Sequence, residues 1–273
     1  MEKLKIILHS TITKVISSVL IISFCISIYF CFDWYKEVFT GIVERTKGYW
    51  WVYQGDKALK KQDLQGAVEC YSIGIKHYPE HYRALYNLAN IYVFYEDYHA
   101  ALINYERALM IKPDFDLARI DYAIILSQVY MNDEAIDQYK KVLNQKRRFI
   151  KIPLLVDSKK AHKYNRGVAY YNMAGAYKTK SLIAGNTKED AREYLQEAAK
   201  NYEKAADILK TYNANYNLAL IHQLLKNYNQ SAQYYCKAIE IAPMEYEAHF
   251  NYAVLLNDIK DYQGAQEEFQ KAG

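Results

Sequence analysis

Glycine and proline are scarce, at 10 and 4 of 273 residues. So few turn formers exclude a many-stranded β fold. Cysteine is nearly as rare. Cys25 and Cys31 sit in an N-terminal apolar run, and Cys70 and Cys236 lie far apart, so neither a disulfide framework nor a zinc spacing is present. There is no Gly-rich phosphate loop, nucleophile elbow or His-Glu-x-x-His motif. His77 and His81 are four apart, but Pro79 between them breaks the helix that would align them. No catalysis, cofactor or metal is therefore expected. The remainder is 51% hydrophobic and 15% aromatic, too apolar for disorder, and a net charge of +4 demands no particular partner. An all-helical protein with a sizeable core is what these exclusions leave.

One long run lacks charge altogether. Val15 to Phe32 is eighteen uncharged residues, close to the ~20 a membrane-spanning helix needs. A signal peptide would want small residues before its cut, where Phe24, Tyr29 and Phe30 stand; a lipoprotein cysteine would not follow Phe24 or Phe30. The run reads as an uncleaved single-pass anchor (15–32) in the cell membrane. A tail (1–14) precedes it, whose Lys3, Lys5 and Lys14 place the N-terminus in the cytoplasm and the rest of the chain outside it. Tyr29, Trp34 and Tyr35 suit the interfacial belt, and 33–47 reads as a juxtamembrane connector.

Beyond residue 48 the chain repeats itself. Ala84–Tyr92 (ALYNLANIY) returns as AYYNMAGAY at 169–177, ANYNLALIH at 214–222 and AHFNYAVLL at 248–256. Ala67, Ala101 and Ala135 are spaced by 34 residues, as are Ser231 and Ala265. Leu85, Leu88, Ala89 and Tyr92 recur three and four apart, so one stripe of each first helix faces inward. Asp97, Asn227 and Asp261 mark turns between paired helices, and Pro79, Pro113 and Pro243 stop the second helices. Units begin near 48, 82, 116, 167, 212 and 246. A segment at 150–166 is inserted before the fourth unit. An extension at about 181–192 lengthens that unit's second helix, with Thr187 and Asp190 spaced as a capping box.

The 34-residue period, with Trp51, Gly55, Ala67, Tyr71 and Pro79 in the first unit and Leu85, Leu88-Ala89, Tyr92, Ala101, Tyr105, Ala108 and Pro113 in the second, resembles the tetratricopeptide repeat family, here as a membrane-anchored member. The resemblance implies an all-α solenoid of about six helix-turn-helix units preceded by one transmembrane helix. It implies first helices lining a concave groove that binds a protein or an extended peptide. One polar position persists along those helices: Asn87, Asp121, Asn172, Asn217 and Asn251. It resembles the asparagine ladder with which some members hold a peptide backbone, since an amide both donates and accepts. Asn90 and the bulky neighbours Tyr86, Tyr171, Tyr216 and Phe250 complete the candidate binding residues. Arg83, Arg119 and Lys178 also stand on first helices, as some relatives' carboxylate-binding cations do, but the Lys and Asn spacing of that clamp is not reproduced.

Charge is unevenly distributed. Between Lys140 and Arg166 ten basic residues meet one acid, Asp157, so the segment carries +9 and the remainder of a +4 chain carries −5. An acidic protein or anionic lipid fits that segment; nucleic acid does not, for want of a recognition helix or stacking platform. The reading is a membrane-tethered, non-catalytic scaffold. The alternatives are a structural protein that self-assembles through an uncapped C-terminal unit, and an accessory subunit of an envelope-building or secretion complex.

Overall fold

The structure is a computed structural model that describes residues 2–145, 158–183 and 187–273, with side chains from Ser23 onward apart from residues 24, 25 and 158. Every regular element among the described residues is an α-helix. The helices fall into two compact units, Met1–Ala84 and Leu85–Gly273.

The first unit holds α1 (Glu2–Lys60) and α2 (Leu64–His77). At 59 residues, α1 is about 90 Å long, and 33–47 is a continuous part of it. Its last turns pack on α2 through small residues. A Cβ at Gly55 would lie 2.7 Å from the Tyr71 ring, so only glycine lets the helices approach this closely. Among the described residues no helix is long and apolar enough to cross a membrane. The expected anchor, 15–32, lies mostly outside the residues whose side chains are described.

The second unit begins at Leu85, within α3 (Tyr82–Phe94), and runs through α4 (Tyr98–Ile111), α5 (Asp116–Gln128), α6 (Asn132–Asn144), α7 (Ser158–Leu182), α8 (Lys188–Leu209), α9 (Tyr212–Leu224), α10 (Tyr228–Ile241), α11 (Tyr246–Asp258) and α12 (Tyr262–Ala272). Sequential helices pair as antiparallel hairpins, and each hairpin also packs on the next. That is a solenoid, in which stacking covers the apolar face each hairpin cannot bury alone. Alanines stand where helices cross, with Ala89, Ala101, Ala118, Ala123 and Ala135 all fully buried. Between them one tyrosine from each of α4, α6, α8 and α10 fills the core: Tyr105, Tyr139, Tyr202 and Tyr235 are each at most 3% exposed.

The turns inside the hairpins repeat as closely as the helices. Glu96, Tyr130, Lys226 and Lys260 take left-handed backbone with φ between 59° and 67°. The side chains of Asp97 and Asp261 then accept from the backbone N–H groups of Ala100 and Gly264, capping α4 and α12. The fourth hairpin differs. Thr187 and Asp190 form a reciprocal capping box that opens the 22-residue α8. Of the basic segment, 146–157 lies outside the described residues. The part from Ser158 onward forms the first turns of α7, where the Arg166 guanidinium donates to the Leu143 carbonyl.

Candidate functional site

The first helices of the second unit, α3, α5, α7, α9 and α11, carry the candidate ladder along one side. Here the structure shows a tie that links one hairpin to the next. The Tyr86 hydroxyl donates to Asp121 Oδ2 at 2.8 Å. The amide of Asn217 donates to the Tyr171 hydroxyl at 3.0 Å, and that of Asn251 to the Tyr216 hydroxyl at 2.8 Å. A phenol can serve either way because it donates to a carboxylate and accepts from an amide. Burial dominates the chemistry of the tie at Tyr86, whose pKa is pushed up to about 12. Burial likewise raises that of Asp121, against the opposing effect of the Tyr86 bond.

These bonds change what the ladder can offer a ligand. Asn217 and Asn251 each give their second amide hydrogen to the carbonyl four residues back, Asn213 and Glu247 respectively. Both hydrogens are therefore spent within the protein, and only the amide oxygens face outward. The tyrosines before them are held by their hydroxyls rather than standing as free apolar contacts. Phe250 has no hydroxyl and packs instead on Tyr246 and Phe269. Asn90 accepts from the buried Tyr105 hydroxyl and Asn87 lies half-buried on α3. Arg119 is buried, its guanidinium donating to Gln138 and to the Pro113 carbonyl. It is structural.

Asn172 stands apart. The residue that should reach it from the preceding unit is Ile120, which has no hydroxyl. Only one hydrogen bond holds the Asn172 amide, to the Val168 carbonyl at 3.0 Å. Beside it opens a cleft of about 330 Å³ between α5 and α7, floored by Tyr139 of α6 and Tyr202 of α8. Its rim carries Ser127, Asn172, Lys178 and Thr179, with Ile124, Ala176 and Leu182 supplying the apolar surface.

A second break in the pattern makes the cleft deeper. Each core tyrosine elsewhere hands its hydroxyl to an acceptor on the paired first helix: Tyr71 to Asp56, Tyr105 to Asn90, Tyr235 to Gln223. Asp56 and Asn90 lie fifteen residues before their tyrosines. In α9 that place is Leu220, and Gln223, twelve residues before Tyr235, accepts instead; α5 brings Ile124 and Ser127 to the two places, and α7 brings Gly175 and Lys178. A Cβ at Gly175 would meet only the Tyr202 hydroxyl, at 3.7 Å, so the glycine leaves that hydroxyl open to the cleft. Burial raises the pKa of both tyrosines, which keeps them protonated donors at every physiological pH. Ser127 Oγ is buried close enough to the Tyr139 hydroxyl to act on its acidity, opposing the effect of burial, but no partner stands at full hydrogen-bond geometry. A buried hydroxyl left unpaired costs about 1–3 kcal/mol and is relieved by any ligand that supplies the bond.

The cleft thus concentrates donors: hydroxyls at Ser127, Tyr139 and Tyr202, the Asn172 amide, and the Lys178 ammonium. No acid lines it. Such a lining suits carbonyl or carboxylate oxygens of a chain lying in the groove, with an apolar side chain against Ile124 and Leu182. Among the described residues no group of three His, Cys, Asp or Glu side chains could hold a metal ion. Sequence reasoning found Asn172 and Lys178 and missed Ser127, Tyr139, Gly175, Thr179 and Tyr202. The readable signal was the change from Asp56 and Asn90 to Ile124 and Gly175 ahead of the core tyrosines.

Residues 82–115 and 212–243 match the profile of the tetratricopeptide repeat. No curated protein matches the chain. Several solved structures share the fold. Pseudomonas aeruginosa pilF superposes with a TM-score of 0.61 at 13% identity, over 82% of this chain and 90% of its own. PilW, described as a type IV pilus biogenesis factor, gives 0.60 at 15% identity over 81% and 90%. YrrB, described as a TPR protein with an unusual peptide-binding site, gives 0.52 at 16% identity over 76% and 92%. Two stretches of the chain thus match the tetratricopeptide repeat, and the helical solenoid is the fold these structures share.

Proposed function

We propose that this protein is a membrane-tethered scaffold that holds an extended segment of a partner protein along its first helices, gripping it at the cleft beside Asn172. The observation that carries the reading is the interrupted ladder. At one place along the second unit, two tyrosine hydroxyls, a buried serine and an amide that are tied or capped elsewhere are left for a ligand. The sister position Asn217 is already committed, so the cleft, not the whole ladder, is the working surface. YrrB is described as having a peptide-binding site of its own on this fold, which makes a peptide a natural occupant.

Photo-crosslinking tests it. A photoreactive residue at Thr179, in the cleft, is expected to capture a partner chain from intact membranes, and Asn172→Ala with Lys178→Ala to reduce that capture at least tenfold. The same probe at Met244, 95% exposed and remote from the cleft, is the control. Equal capture from Thr179 and Met244 would sink the proposal.

Tethering rests on the uncharged run 15–32, with the N-terminus cytoplasmic and the repeats on the far side of the membrane. An export-dependent reporter fused after Gly273 is expected to be active; activity of a cytoplasm-only reporter there reverses the orientation. The basic residues of 140–166 fit an acidic partner or anionic headgroups, and replacing Lys159, Lys160 and Lys163 by Glu is expected to weaken binding to anionic vesicles.

A further inference from the structure

We infer that the stretch of α1 from Ile28 to Tyr53 is one strand of a parallel two-stranded coiled coil formed with a second copy of this chain, independent of whatever the cleft binds. The observation is a seven-residue repeat on the exposed surface of α1. Ile28, Phe32, Tyr35, Phe39, Ile42, Thr46, Tyr49 and Tyr53 follow one another at alternating steps of four and three. That spacing is the seam of a left-handed coiled coil, held over nearly four heptads. Seven of the eight positions are apolar or aromatic, and all seven are 53–66% exposed. Past Asp33 this stripe is not explained by lipid, because Lys36, Glu37, Glu44, Arg45 and Lys47 surround it.

The neighbouring α2 leaves most of the stripe open; of the seam residues Tyr49 rests on Tyr78 and His81, just beyond α2, and still stays exposed. Gly48, Val52 and Gly55 are the positions buried against α2, and they lie to one side of the seam. The repeat also stops where it should: the next seam position after Tyr53 is Asp56, which accepts from the Tyr71 hydroxyl at 2.6 Å and so belongs to the hairpin.

Area and register both select a second copy. Covering seven such side chains removes on the order of 800 Å² per copy, the size of a standard stable interface. In a parallel, in-register pair each flanking residue meets the one five positions on across the seam. Val38 then faces Val43, apolar on apolar, and Trp50 faces Arg45, whose charge is already held by Glu80 and the Tyr78 ring. No like charges are opposed. The second copy would also bring two clefts to one site on the membrane.

Sedimentation of the full chain in mild detergent at micromolar concentration tests self-association. A dimer is expected. Phe39→Lys combined with Ile42→Lys should weaken association at least tenfold with helical content unchanged, while Glu37→Lys, on the far side of the helix, should not. Orientation is read from single cysteines in a chain whose own Cys25, Cys31, Cys70 and Cys236 are replaced by Ser. Mild oxidation of membranes should self-link both Tyr35→Cys and Ile42→Cys, and Glu37→Cys less than a tenth as well. A monomeric chain, a lysine variant that sediments like the parent, equal linking at residue 37, linking of 35 only to 42, or linking to an unrelated chain would each overturn the inference.

Discussion

The junction between α9 and α11 and the junction between α5 and α7 are built from the same repeat, yet one is closed and the other open. At the first, Tyr216 is tied to Asn251 and the core Tyr235 is capped by Gln223. At the second, Ile120 stands where the tie should begin, and the places of Gln223 ahead of Tyr139 and Tyr202 are held by Ser127 and Lys178. The helices α7 and α8 are longer than α9 to α11, but length alone strands no polar group. Three residues do, Ile120, Ser127 and Lys178, each lacking the bond that Tyr216 or Gln223 makes at the other junction. A binding site can arise in a repeat protein by subtraction.

Four predictions press on that difference. The largest effect should not discriminate at all: Tyr235→Ala and Tyr139→Ala each remove a fully buried ring and should cost about 3–5 kcal/mol, read from denaturant midpoints. Removing only the hydroxyl should separate the regions. Tyr235→Phe strands Gln223 and should cost about 1–1.5 kcal/mol, whereas Tyr139→Phe should stay within about 0.5 kcal/mol and instead weaken ligand binding. Equal losses at both sites would show that the cleft hydroxyl is satisfied internally.

Closing the cleft is the converse. Gly175→Asn restores at α7 the acceptor that Asn90 provides on α3, and replaces a helical glycine. It should raise stability by about 1 kcal/mol, with Tyr202 hydroxyl exchange slowed, and lower partner capture from Thr179 at least tenfold.

The smallest effect is on pH. Burial lowers the pKa of His222 on α9, partly opposed by Glu203, so the folded protein holds this proton less well than the unfolded chain. Between the folded value and the ordinary value near 6.5 the unfolded state binds more protons, so stability falls as pH drops through that window and levels below it. Protection factors of amides in α9 and α10, corrected for the intrinsic exchange rate, should fall as pH drops from 7.5 to 5.5, and His222→Tyr should flatten the change. The tyrosines that floor the cleft do not titrate there.

Much of this was legible in the residues. The spacing of Leu85, Leu88, Ala89 and Tyr92 predicts the buried stripe of α3, and Thr187 with Asp190 predicts the capping box of α8. Those features are local, fixed by neighbours within a turn or two. The ladder was legible as a recurring asparagine, but its bonding was not. Asn217 and Tyr171 are 46 residues apart and Asn251 and Tyr216 are 35 apart, distances across which only stacking of hairpins can bring a hydroxyl to an amide. The heptad on α1 shows the same limit from the other side. Its letters were in view, but whether those positions faced α2 or lay open depended on which face Gly48 and Gly55 presented to it.

By itself the sequence determined the period, the helices and their caps, because backbone hydrogen bonds and the 3.6-residue turn act within short spans. Only the tertiary structure decided which polar groups are spent and which remain. That decision belongs to packing, since a buried donor is satisfied or stranded by whichever side chain the next hairpin happens to bring against it.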